Sequence, residues 1–161
     1  MAQAAELAFE IIDPSTHNVS GVDLPQLADR INWMLGRLRD RFPGYQDTHI
    51  INWLRTMSGT NGISNYRFVC TRHAVALSEY RSEALTVKPT VIDHFVLIEE
   101  GADVSEGEAL YDDMKRWALG IGAAEIRINP KSDVPIEQIE DRIGKIVERK
   151  VMFAKLSQGR N

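Results

Sequence analysis

The sequence contains one cysteine, Cys70, which excludes a disulfide within the chain and a zinc site built on cysteine. No block of five or more Lys/Arg occurs, and the formal net charge is −4, so nothing points to a nucleic-acid or membrane footprint. No apolar run approaches the ~18 residues needed to cross a bilayer. Met1 to Glu10 has neither a basic n-region nor a long apolar h-region, so no signal peptide is expected. The four histidines, His17, His49, His73 and His94, have no metal-ligand spacing. Internal repeats and low-complexity tracts are also missing. What remains is an ordinary globular balance, 43% hydrophobic and 26% charged over 161 residues, enough for one domain spanning 1–161 with a real core. A cytoplasmic location is the default expectation.

Periodicity gives the element order. Glu6 to Ile12 alternates as a strand. Asp23 reads as an N-cap before Leu24, Leu27, Ile31, Met34, Leu35 and Leu38 at helical spacing, and Pro43-Gly44 stops that helix. A shorter helix is expected at His49 to Met57 and a loop at Ser58 to Asn65. Three strands follow, Tyr66 to Thr71, Ala74 to Arg81 and Thr90 to Glu99. The run Phe95-Val96-Leu97-Ile98 is apolar on both faces, as in a central covered strand. A helix is predicted over Glu106 to Leu119 with Leu110, Met114, Trp117 and Ala118 on one face, ended by Gly120 and Gly122. Then come a strand at Ala124 to Ile128, a helix at Ile136 to Glu148 and a strand at Val151 to Leu156. The predicted order is β-α-α-β-β-β-α-β-α-β, an α/β fold with helices around a mixed, mostly antiparallel sheet.

This order, and above all the stretch Asp93 to Gly122, resembles the GNAT superfamily of N-acetyltransferases. The strand "DHFVLIEE", the loop, the helix with Trp117-Ala118 and the Gly-Ala ending carry the likeness. The resemblance covers roughly residues 66 to 156 and implies an acyl-CoA-dependent N-acyltransferase with acetyl-CoA as cofactor. It implies pyrophosphate binding at the N-terminus of the helix through a Gln/Arg-x-x-Gly-x-Gly/Ala loop, where glycine lets the backbone approach the phosphates. The matching positions are Val104, Gly107 and Ala109, with Ser105 between them. Val104 departs from the Gln/Arg pattern.

The charge around the loop also departs. Pro89 to Met114 has no Lys or Arg but holds Asp93, Glu99, Glu100, Asp103, Glu106, Glu108, Asp112 and Asp113. Two like charges ~4 Å apart repel by roughly 4 kcal/mol at an effective dielectric of ~20. A helix N-terminus stabilises an anion by only about 0.3–2 kcal/mol. Ser105 and Glu108 also read as a Ser-x-x-Glu capping box that would occupy the helix amides. Weak or absent acetyl-CoA binding is therefore expected.

The family's base is often a carboxylate on the central strand, which the resemblance places at Asp93 or His94. Alternation sends these two to opposite faces. Both also read as structural, one a strand-end polar residue and the other a hydrogen-bonded core histidine. The family's acid, a Tyr four residues before a Gly on the last helix, corresponds to Glu140 before Gly144. Tyr111 lies on another helix and reads as a surface or boundary aromatic. Two function classes follow: a small N-acyltransferase of unknown acceptor, or an inactive GNAT-like domain used for binding or assembly. Divergent GNAT-like frames of this size occur in bacteriophage genomes, so the second class includes a virion component held by a protein partner or larger assembly.

Overall fold

Ile31, Met34, Leu35 and Leu38 recur every three or four residues and form the buried stripe of helix α1, Leu24–Arg41. Arg39 and Arg41 lie in its last turn, where positive charge suits the helix dipole. The chain then turns at Gly44, whose φ is 80°. The computed structural model describes residues 18–19, 24–49, 51–52, 65–82, 88–148 and 153–156. The expected strand at Glu6 to Ile12, the end of the second helix from Trp53 and the loop up to residue 64 lie outside them. Residues 47–49 and 51–52 are helical, and Ile51 is buried against α1.

The strands are β1 (Asn18–Val19), β2 (Tyr66–Cys70), β3 (Ala74–Arg81) and β4 (Thr90–Ile98), followed by helix α2 (Ser105–Gly120) and β5 (Glu125–Arg127). Helix α3 (Ile136–Ile143), β6 (Ile146–Glu148) and β7 (Phe153–Lys155) complete the order. The sheet runs β1-β2-β3-β4-β5-β7-β6. Pairs β1–β2 and β4–β5 are parallel and the others antiparallel. The fold is thus α/β on a mixed sheet, and β4 is central, as its doubly apolar run requires.

Alternation splits the core into two layers. Phe68, Cys70, Val75, Leu77, Phe95 and Leu97 pack against α1. Val69, Ala76, Val91, Val96 and Ile98 pack against α2 and α3, meeting Leu110, Met114, Ala118, Ile139 and Ile143. Cys70 is among the buried residues, and burial pushes its thiol up to about 12, so it is an inert core group.

Three expectations need correction. Tyr111 is no boundary aromatic: it is fully buried. Trp117 is only partly buried, at the margin of the α2 layer. The last helix stops at Ile143, because Gly144 takes φ 118°, and Ile146 continues as β6 rather than as helix. A φ in that range is open to glycine and strained for other residues, so Gly144 overrides the helical periodicity of Ile146 and Val147.

Candidate functional site

β4 and β5 pair only where Thr90–Ile92 faces Glu125–Arg127. Beyond Ile92 the two strands part. Here β4 also carries an irregularity. Leu77 opposes Phe95 while the next residue, Ser78, opposes Asp93, so His94 is the extra residue of a β-bulge. The bulge sends His94 toward Tyr66 and Phe95 into the α1 layer, while Asp93 points the other way, to α2. The expected opposition of Asp93 and His94 holds, and the bulge adds a second consecutive side chain, Phe95, on the His94 face.

The opening between the strands is filled by residues 129–134. Asn129 Nδ2 donates to the His94 carbonyl at 2.5 Å. The Asp133 amide donates to the Val96 carbonyl at 3.3 Å, and the Ile98 amide donates to Asp133 Oδ2 at 2.9 Å. The polar edge of β4 is therefore paired by a loop in place of a strand. The same segment is fixed from α1: Arg41 donates to the Lys131 carbonyl at 2.8 Å and pairs with Asp133 at 2.5 Å. Lys131 Nζ lies 5.4 Å from the Phe42 ring centre. From below, Tyr111 on α2 bonds Ser132 Oγ at 2.8 Å. We call this segment the strap.

Asp93 is buried beneath the strap. Its Oδ2 accepts from Tyr111 Oη at 2.7 Å and from the Asn129 amide at 3.2 Å. Its Oδ1 has no hydrogen-bond partner among the described residues. Burial pushes its carboxyl up to about 7, against the pull of the Tyr111 and Asn129 hydrogen bonds. Burial, reinforced by the neighbouring Asp93, raises Tyr111 well above the usual phenol range.

His94 faces the other layer. Its Nε2 lies 2.7 Å from Glu79 Oε1, and Arg81 Nε donates to Glu79 Oε2 at 3.0 Å. Burial lowers the His94 imidazole, and the Glu79 hydrogen bond opposes that shift. Burial would raise Glu79, yet the bonds from Arg81 and His94 outweigh it and leave it low. His94, Phe95, Leu38, Phe42 and Tyr45 line a cleft of about 370 Å³. A second cleft of about 360 Å³, on the strap side, is lined by Asp93, His94, Arg127 and Asn129.

Of the positions expected to meet a phosphate, two pack and two are exposed. Helix α2 begins at Ser105 with Val104 as N-cap and no side-chain cap. The expected Ser105–Glu108 capping box is therefore not formed: the Ser105 amide donates to Asp103 Oδ1 at 2.9 Å and the Glu108 amide to the Val104 carbonyl at 3.1 Å. Glu108 instead reaches Arg142 on α3 at 2.8 Å. The Glu108 carboxylate is thus engaged between helices and not at the helix end. Gly107 is buried, and a Cβ there would meet Ile98 and Val134 at 2.5 Å. Val104 packs on the α2 layer, while Ser105 and Ala109 are exposed. The acidic stretch draws its counter-charges from elsewhere: Asp113 from Arg67, Glu99 from Arg30 and His73.

Sequence reasoning singles out Asp93 and His94 and gives no place to Glu79, Asn129 or Asp133, which the structure sets beside them. No local pattern marks them, since each acts on a strand distant in sequence. Among the described residues no group of His, Cys, Asp and Glu could hold a metal ion, and no helix is long and apolar enough to cross a membrane. In comparisons with known proteins, the chain matches no family model, no curated protein and no solved structure.

Proposed function

We propose that the chain is a GNAT-like domain that has given up acyl transfer and serves as a binding or assembly component, in a virion or another large complex. The observation that carries this reading is the strap. A CoA whose pyrophosphate lay on the first turn of α2 would run its pantetheine arm along β4. The two amides of that arm would need the backbone groups that face the opening. Those groups, the His94 and Val96 carbonyls and the Ile98 amide, are already paired to Asn129 and Asp133. An unpaired buried amide costs about 1–3 kcal/mol, so a ligand gains nothing there unless the strap leaves.

The helix end supports the same reading. The Ser105, Glu106 and Glu108 amides are engaged by Asp103 and Val104, and Glu106 and Glu108 stand in the first turn. The residues present do not fit acetyl-CoA. Calorimetry with acetyl-CoA tests the reading: no heat up to millimolar ligand is expected, and micromolar binding would overturn it.

One observation favours a second reading, an N-acyltransferase. The His94–Glu79 pair beside an apolar cleft is a base held by a carboxylate, and it could take the proton of an amine. Release of free thiol from acetyl-CoA in the presence of a panel of amines, abolished in His94→Gln, would support it.

A further inference from the structure

The strap joins three layers at one buried acid. Ser132 Oγ accepts from the Val134 amide and bonds Tyr111, and Tyr111 donates to Asp93. Asn129 closes on Asp93 and His94 together. We propose that the strap is a proton-controlled clasp, which holds the β4 edge while Asp93 is protonated and lets go when Asp93 ionises.

The geometry supplies the reason. An ionised Asp93 keeps only two donors, both on Oδ2, and leaves Oδ1 buried without a partner among the described residues. Water is the nearest relief, since a charge in a dry interior is costly without pairing. The cleft that leads to Asp93 has Asn129 and Pro130 as one wall, so water reaches the carboxylate when the strap moves.

The charged and titratable surroundings offer no substitute. On β4 itself, His94 is engaged with Glu79 on the opposite face. On β3, the residue opposite is Ser78. From α2, Tyr111 already donates, and Asp113 is paired with Arg67. On the strap, Asp133 is itself an anion held by Arg41 and Arg37, and Lys131 extends to the Arg41 carbonyl. Arg127 on β5 lines the cleft but alternates with Ile126, which is buried on the Asp93 side of the sheet. Burial holds the Asp93 carboxyl near 7 in the closed form, and opening returns it toward the ordinary value near 3.9.

Opening then releases one proton between those two values. Hydrogen exchange of the full chain, corrected for intrinsic rates, reads it directly at the Ile98, Asn129 and Asp133 amides. Their protection should fall about tenfold per pH unit between about pH 4 and pH 7 and level off above, while amides in α1 keep theirs. Asp93→Asn should abolish the slope. Tyr111→Phe removes a donor that favours the carboxylate, so the decline should continue to higher pH before it levels off, whatever the change does to basal protection. Protection at those amides that is flat with pH in the wild type, a slope that survives in Asp93→Asn, or loss spread evenly over the sheet would each overturn the proposal.

Discussion

Tyr111 on α2 donates its hydroxyl to Asp93 on β4 at 2.7 Å, and both side chains are buried. The bond ties the helix to the central strand under the strap. Tyr111→Phe keeps the ring packing and leaves a carboxyl oxygen and the Ser132 hydroxyl short of a partner. The expected cost is about 1–3 kcal/mol in urea denaturation. A neutral result would mean that water takes over the hydroxyl's role.

The pH dependence of stability follows from the same carboxyl. Asp93 stands near 7 in the folded chain against 3.8 for the ordinary group, so the folded state binds the extra proton between those values. Stability should therefore decline as pH rises from about 4 to about 7 and level off above, by about 4 kcal/mol in total. Glu79 is shifted the other way and loses its contribution as pH falls. The difference between wild type and Asp93→Asn isolates the Asp93 part. A difference that does not change between pH 4 and pH 8 would contradict the burial argument.

Much of this architecture was legible from short-range pattern. The stripe Ile31, Met34, Leu35 and Leu38 foretold α1, and Phe95 to Ile98 foretold a central strand, because burial on a helix or strand imposes a fixed period. Tyr111 reads from sequence as a surface or boundary aromatic, whereas it is fully buried because Asp93 and Ser132, from other elements, satisfy its hydroxyl. Trp117 was read as core, yet it is only partly buried. Trp117→Ala should accordingly cost less than the ~3–5 kcal/mol of a fully buried tryptophan. The strap was invisible: Asn129 and Asp133 act on β4 through sequence separations of 35 residues, and no periodicity encodes such a pairing.

Gly107 distinguishes a packing glycine from a phosphate-binding one. Ala in a helix is favoured over Gly by about 1 kcal/mol. At this site the added methyl would press on Ile98 Cδ1 and Val134 Cγ2 at 2.5 Å, and overpacking costs about 1–3 kcal/mol. Gly107→Ala should destabilise, and Gly107→Ala with Val134→Ala should lose less than the sum of the two single changes. Additive losses in thermal denaturation would show that Val134 is not what the methyl meets.

Acetyl-CoA binding separates the two obstacles at the position proposed for a cofactor, charge and strap. Glu106→Lys with Glu108→Gln removes two negative charges and adds a positive one, and it detaches Arg142 from Glu108. The β4 edge stays covered in that variant, because Asn129 and Asp133 are untouched. It should bind acetyl-CoA no better than the wild type by calorimetry. Asn129→Gly with Asp133→Asn weakens the strap's hold on His94, Ile98 and Arg41 and leaves the acidic turn in place. Combining all four changes addresses both obstacles, and only that variant should show measurable binding. It should also be the least stable, since Asp133 is a mostly buried partner of Arg41, and breaking such a pair costs about 3 kcal/mol. Binding restored by the charge changes alone would show that repulsion closed the site and that the strap yields to a ligand.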